Sequence, residues 1–214
     1  RGTVKITPLV NFSRPRSTGL IALALDEGDT LIGASITDGE RDIMLMSNSG
    51  KMIRFNESNV RAMGRTARGV RGIKMADEFK VVSLILPEED GLLLVASENG
   101  YGKRTRLDEF SPINRGGQGV IAMQCSDRNG ALVSAVQVFE GDEMMLISDK
   151  GTLVRTRTEE VSVLGRNTQG VRLIKLSQAD EKLVGVERIE EPQGEENGDD
   201  VDGEVGAPEG ETLQ

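Results

Sequence analysis

A unit of about fifty residues recurs four times along this 214-residue chain, and that period limits the fold to an array of small, similar modules. Each unit opens on a glycine: Gly2, Gly50, Gly100 and Gly151. A second glycine follows about nineteen residues later (Gly19, Gly69, Gly119, Gly170), each time ahead of Leu or Val. A third landmark is a short apolar strand in each unit, at Leu31-Ile32, Val81-Val82, Leu132-Val133 and Leu183-Val184.

Within a unit the pattern is β. Ile43–Ser47 is an apolar run that stops at the turn signal Asn48-Ser49-Gly50, and Lys51–Phe55 then mixes basic with apolar residues. Val70–Met75 alternates, and Val81–Leu86 is nearly continuous apolar. The same order returns at Leu92–Ser97, Tyr101–Arg106, Val120–Gln124 and Leu132–Val138, and again from Met144 to Val186. Short strands at even spacing, separated by Gly/Asn/Asp turns, predict a sheet of about four strands per repeat and an all-β, propeller-like array of about four blades over residues 1–190. The stretches 56–69, 107–119 and 158–170 are polar connections with room for one helical turn. Phe12, Val60, Phe110 and Val161 share one repeat position, which predicts a core plug.

Charge is in phase with the repeat. Residues 1–25, 51–75, 100–126 and 150–176 hold 21 Lys/Arg against 5 Asp/Glu, while the other segments up to 186 hold 4 against 19. Like charge therefore falls on the same part of every blade, which predicts a basic track around the outside of the array. The formal net charge of −9 conceals this, because residues 187–214 contribute 11 acidic residues and only Arg188 as a base. Residues 191–214 are too acidic and too poor in apolar side chains to offset their ordering entropy, and are expected to form a disordered tail.

Several chemistries lack their residues. The chain has no His and one cysteine, Cys125, so it has no intrachain disulfide and fits a reducing, cytoplasmic setting. Cys125 reads as a small core residue on a strand. No Walker-type glycine loop appears, and no apolar run approaches the length of a membrane span. Acidic clusters such as Glu88-Glu89-Asp90 read as solvated turns, not metal sites. Tyr101 occupies a position held by Thr3, Lys51 and Thr152 in the other units, and so reads as an ordinary strand residue.

Three long stretches carry a family resemblance: VRAMGRTARGVRGIKM (Val60–Met75), NGYGKRT (Asn99–Thr105) and GTLVRTRTEEVSVLGRNTQGVRLIK (Gly151–Lys175). They resemble the C-terminal DNA-wrapping domain of the DNA gyrase A protein, and the likeness extends over residues 1–190, with an acidic tail like that of proteobacterial members. The resemblance implies a β-pinwheel whose outer rim binds and bends duplex DNA. It also implies that this stretch is a fragment of a longer polypeptide and lacks the first blades. That polypeptide would join a second copy of itself and two gyrase B proteins as an A2B2 topoisomerase in the bacterial cytoplasm, with ATP and Mg bound elsewhere in the holoenzyme and no cofactor in this fragment. The family's seven-residue box, QRRGGKG, has an echo at Ile113–Gly119, which keeps one Arg, the Gly pair and the last Gly. The equivalent domain of topoisomerase IV, and a propeller acting as a protein-interaction scaffold, are the alternative readings.

The residues themselves agree with a duplex partner. A protein that bends DNA without reading sequence needs cations at regular spacing on a rigid curved surface. Arg54, Arg104 and Arg155 stand four residues after the first glycine of their units, and Arg65, Arg115 and Arg166 four before the second. In the first unit Lys5, Arg14 and Arg16 flank the same positions. With Lys51, Arg68, Arg71, Lys103, Arg106, Arg157 and Arg172 these make the candidate DNA-binding set. The competing reading is that these arginines decorate strands and brace turns. With five Phe and one Tyr there is too little aromatic surface for single-strand stacking, which favours the duplex backbone.

Overall fold

The computed structural model describes residues 1–190, so the acidic tail expected over 191–214 lies outside the described residues. Three hairpins form the body of the array. They are β2 (Asp42–Ser47) with β3 (Lys51–Asn56), β6 (Leu92–Ser97) with β7 (Tyr101–Arg106), and β10 (Glu143–Ser148) with β11 (Leu153–Arg157). Each turns on the first glycine of its unit: Gly50, Gly100 and Gly151 have φ of 81°, 79° and 85°, a region that favours glycine. Each hairpin's first strand also pairs with the unit's long apolar strand: β5 (Val81–Ile85), β9 (Leu132–Val138) and β13 (Leu183–Ile189).

The fourth strand comes from the following unit. β8 (Val120–Ile121) pairs with β3, giving the sheet order β5-β2-β3-β8, and β12 (Val171–Arg172) pairs with β7, giving β9-β6-β7-β12. β4 (Val70–Arg71) pairs in the same way with β1 (Thr3–Val4) of the first unit. Consecutive units are therefore stitched by strand exchange. The expected four-stranded sheet is correct for two blades, but its strands are not all from one repeat. The third sheet, β13-β10-β11, has three strands among the described residues.

The two glycine sets explain how the stitch closes. The Gly50 carbonyl accepts from Ala122 and Met123 amides, the Gly100 carbonyl from Leu173 and Ile174, and the Gly2 carbonyl from Gly72 and Ile73. Three of the second glycines, Gly69, Gly119 and Gly170, lie against backbone of the preceding unit, whereas Gly19 has open space around it. A Cβ on Gly170 (φ 75°) would stand 2.5 Å from the Gly102 carbonyl oxygen, and one on Gly69 would stand 2.5 Å from that of Val4. The strand can pair only where backbone meets backbone, so these glycines are structural.

β9 packs against both β5 and β13, which places those three strands at the inner edge of the array. The exchanged strands β4, β8 and β12 lie at the opposite, outer edge. Three apolar layers fill the spaces between successive units: one around Leu45, Phe55 and Val60, one around Met52, Leu93 and Phe110, and one around Leu94, Leu146 and Val161. Val60, Phe110 and Val161 are buried as the repeat predicts, each following a 3-10 turn (Glu57–Asn59, Leu107–Glu109, Thr158–Glu160), whereas Phe12, at the same repeat position, is only half-buried.

Two expectations change. Leu31-Ile32 forms no strand, and its side chains are 57% and 47% exposed. The matching strands β5, β9 and β13 all pair with the first strand of a hairpin, and among the described residues the first unit has no such strand to receive it. Cys125 packs against the core between the first two full sheets but lies beyond the end of β8, not on a strand. Burial raises its thiol above the ordinary value, so it stays a thiol.

Candidate nucleic-acid interface

The outer edge carries cations because of what the exchanged strands contain. Arg71 on β4 and Arg172 on β12 point away from the core and are exposed, as are Lys74 and Lys175 three residues on. The third unit has Ile121 and Gln124 at these places, so the density of positive charge alternates from unit to unit. Arg71, Lys74 and Lys175 have no side-chain partner among the described residues, and Arg61, Arg14, Arg16 and Arg157 are likewise exposed and free there. Lys51 is half-buried at the start of β3. Lys74, Lys175 and Arg61 fall outside the candidate set, although the repeat positions of Lys74 and Lys175 (five after the second glycine) could have flagged both.

The most regular arginines of the candidate set do other work. Arg65 Nη1 donates to the Ile21 carbonyl (3.1 Å), Arg115 Nη1 to that of Arg71 (2.7 Å) and Arg166 Nη1 to that of Ile121 (3.2 Å). Each acceptor lies two residues after the second glycine of the preceding unit, so Arg115 braces β4, Arg166 braces β8, and Arg65 holds the matching stretch of the first unit, which is not a strand. Arg54 reaches the Leu107 and Phe110 carbonyls (both 3.3 Å) and pairs with Asp42. Arg104 reaches those of Val161 (2.8 Å) and Glu159 (3.1 Å). These two clamp the 3-10 turn of the next unit. Arg155 pairs with Glu143, Arg106 with Asp108 and Arg68 with Asp26, all three while largely exposed. Exposed pairs of this kind are weak, so these three remain open to a stronger anion.

Lys5 and Lys103 are corrections. Lys103 has no exposed surface; its Nζ donates to the Gly165 and Arg166 carbonyls (both 2.6 Å) and to Thr168 Oγ1 (3.0 Å). Burial holds its ammonium down to about 8. Lys5 repeats the arrangement on the Ala22, Gly64 and Arg65 carbonyls. Both lysines organise the loop ahead of an exchanged strand and present no free ammonium to a ligand. Sequence places them beside the basic track, and only the packing shows that they turn inward.

The acidic residues gather elsewhere. Glu88, Glu89 and Asp90 are exposed on the turn between β5 and β6. Glu181 is enclosed and accepts from Ser148 Oγ and Thr152 Oγ1 (both 2.6 Å) and from the Ser177 and Gln178 amides (2.7 and 3.3 Å). These bonds, Ser148's foremost, hold its carboxyl at about 2. Among the described residues no three of His, Cys, Asp or Glu stand together as a metal-ligand set. No helix is long and apolar enough to cross a membrane among the residues described.

Known proteins show the same architecture. The family described as the DNA gyrase C-terminal domain, a β-propeller, matches four times in succession, over residues 1–38, 41–87, 91–139 and 142–190. The last three matches begin at or just before β2, β6 and β10, so one family repeat starts at each hairpin. The DNA gyrase A protein of Pseudomonas aeruginosa is 62% identical over 210 residues, which is 98% of this chain and 22% of that protein. Its counterpart from Escherichia coli K12 is 52% identical over 202 residues, 94% of this chain and 23% of its own length. A solved DNA gyrase A C-terminal domain superposes with a TM-score of 0.76 at 29% identity, covering 87% of this chain and 62% of that one. The C-terminal domain of a DNA topoisomerase IV shares the fold, with a TM-score of 0.82 at 24% identity over 89% and 59% of the two chains. The chain thus spans less than a quarter of the length of these two curated relatives. With all four units matched, the chain belongs to the DNA gyrase C-terminal domain family.

Proposed function

We propose that this domain binds duplex DNA without reading its sequence and bends it along the outer edge of the array, as the C-terminal part of a DNA gyrase A protein. The observation that carries the reading is the placement of Arg71, Lys74, Arg172 and Lys175 on or just after the exchanged strands, exposed and with no carboxylate partner among the described residues. Phosphate is a regular line of charge, and a rigid edge that repeats its cations meets it with little ordering cost. The braces behind that edge supply the rigidity: Arg54, Arg104, Arg115 and Arg166 lock each unit to the next. The described residues hold only 3-10 turns of three or four residues, so no α-helix stands at the edge to enter the major groove and read bases.

In that setting the domain contributes no catalytic residue. Strand passage, ATP hydrolysis and Mg2+ binding belong to other parts of an A2B2 holoenzyme in the bacterial cytoplasm, and wrapping at this edge would bias passage toward negative supercoiling. Fluorescence titration of the 214-residue chain with a long random-sequence duplex tests the binding. With six or more phosphates engaged, affinity falls roughly 10³-fold between 50 and 200 mM salt. A flat salt response would leave a protein-interaction scaffold as the better reading.

A further inference from the structure

Tyr101 opens β7 and pairs with Arg172 of β12, at the outer edge of the second full sheet. Its ring is almost wholly enclosed, packed with the cluster that includes Phe110, Ala122 and Met123. Two guanidinium groups converge on it. Cζ of Arg128 lies 4.8 Å from the ring centroid and Cζ of Arg172 lies 5.3 Å from it. Arg172 Nη2 donates to Tyr101 Oη at 2.8 Å, and Arg128 Nη1 donates to Gln169 Oε1 at 3.3 Å. Neither arginine meets a carboxylate among the described residues.

This arrangement is not produced by the repeat. The positions matching Arg128 hold Gly28, Glu78 and Ala179, and those matching Tyr101 hold Thr3, Lys51 and Thr152. Arg128 is a base set into an otherwise acidic segment, on the loop that runs from β8 to β9. Two cations on one phenol repel each other, and attraction to the ring face offsets only part of that cost. Each guanidinium carries five donors, and the contacts to Tyr101 and Gln169 leave most of them open. What the pair lacks is a shared acceptor of opposite charge. A tetrahedral oxyanion meets the need, because it accepts from two planar forks at once. The same arginines, Arg172 foremost, hold the Tyr101 phenol below its ordinary value.

We infer that Arg128 and Arg172, positioned by Tyr101, form a phosphate clamp, and that it takes one phosphodiester of the duplex laid along the outer edge. The inference rests on the function proposed above and adds to it a single non-repeated anchor, which would fix where along the edge the DNA is held. Tyr101 acts as a positioning residue: it is too enclosed to stack on a base, and its hydroxyl orients Arg172.

The test uses the full 214-residue chain, a labelled random-sequence duplex and a series of salt concentrations. Replacing both arginines (Arg128→Ala with Arg172→Ala) should lower duplex affinity roughly tenfold or more and reduce the salt slope by about one. Arg128→Lys with Arg172→Lys should restore the slope without restoring the affinity, since charge is kept and the planar fork is lost. Lys80→Ala, the loss of a single charge on the inner side, should change neither. If the double alanine variant loses its native circular dichroism, Arg128→Gln with Arg172→Gln replaces it under the same expectations. Wild-type affinity and slope in the double variant, with the parent chain binding duplex normally, would overturn the clamp and leave the proposed function intact. A parent chain that does not bind duplex would overturn both. Calorimetry with inorganic phosphate alone separates the sources of the anion. Saturable phosphate binding that the double variant loses, with duplex binding unchanged, would mean a free-anion site and overturn the duplex assignment.

Discussion

Replacing Gly170 by alanine tests the strand exchange on which both the fold and the basic edge depend. Gly170 has φ of 75°, and a Cβ there would lie 2.5 Å from the Gly102 carbonyl oxygen and 2.9 Å from its carbon. The neighbour is backbone of β7 and has no rotamer by which to give way. Relief requires β12 to move off β7, which breaks the two amide bonds from Leu173 and Ile174 to the Gly100 carbonyl (2.8 and 3.3 Å). At about 1 kcal/mol for each such bond, and a further 1–2 kcal/mol for a side chain forced into the left-handed region, the loss comes to about 3 kcal/mol. Gly19 is the internal control. It has nearly the same φ, 79°, and open space around its Cβ position. Gly19→Ala therefore meets the conformational term alone, offset in part by a less flexible unfolded chain, and costs about 1 kcal/mol. Urea unfolding followed by circular dichroism reads the difference. With a slope of about 2 kcal/mol/M, the midpoint should fall by about 1.5 M for Gly170→Ala and about 0.5 M for Gly19→Ala. Equal shifts for the two variants would show that β12 is not held by close backbone contact, and the stitching of units would have to be explained otherwise.

Other expectations follow from the site. Arg71→Ala with Lys74→Ala should weaken duplex binding with a salt slope lower by about two and leave the unfolding free energy within about 0.5 kcal/mol of the parent; a large stability loss would mean these residues brace the fold. Lys103→Met removes three donations to the Gly165–Thr168 loop and should cost about 1–3 kcal/mol by urea titration. Because the Lys103 ammonium is held at about 8, below the free side chain, the unfolded chain binds that proton more tightly. The stability of the parent relative to Lys103→Met should therefore rise from pH 8 toward 10.5. Glu181 has the opposite sign: its carboxyl is held at about 2 against an ordinary 4.5. Its contribution is complete above pH 4.5 and is lost as pH falls toward 2, so acid unfolding of Glu181→Gln should be less steep over that window than that of the parent. Truncation after Glu190 should raise duplex affinity at 50 mM salt if the acidic residues beyond it compete for the basic edge; equal affinities would leave them a role in solubility alone.

Much of the architecture can be read from residue spacing. The hairpins, the 3-10 turns, the inter-unit plugs at Val60, Phe110 and Val161, and the structural role of the second glycines all follow from short-range signals of turn and alternation. What spacing cannot state is the partner of a strand. β8 and β12 carry the same local pattern whether they close their own unit's sheet or the previous one, and only the close fit of Gly119 against Met52 and of Gly170 against Gly102 decides it. The Leu31-Ile32 strand fails for a related reason, since an apolar pair becomes a strand only beside an edge that can receive it. The arginines divide along the same line. A periodic cation is what a phosphate track requires, and it is also what a periodic brace requires, so phase alone could not separate Arg71 and Arg172 from Arg115 and Arg166. The separation lies in the acceptors. Arg115 and Arg166 find backbone carbonyls inside the array, whereas Arg71 finds none among the described residues. Lys103 shows the limit most plainly, because a basic residue in a basic segment turns inward when a neighbouring loop offers it three acceptors.

The central claim is that the outer edge bends the duplex it binds. The direct measurement is the linking number of a nicked circular plasmid sealed by ligase in the presence of increasing amounts of this chain, with protein then removed and topoisomers separated on a gel. Wrapping along a rigid curved edge predicts a shift in linking number that grows with protein, disappears at high salt, and is reduced by Arg71→Ala with Lys74→Ala. A topoisomer distribution that stays centred where it lies without protein, at concentrations where the duplex is fully bound, would contradict bending and reduce the edge to a surface on which DNA merely rests.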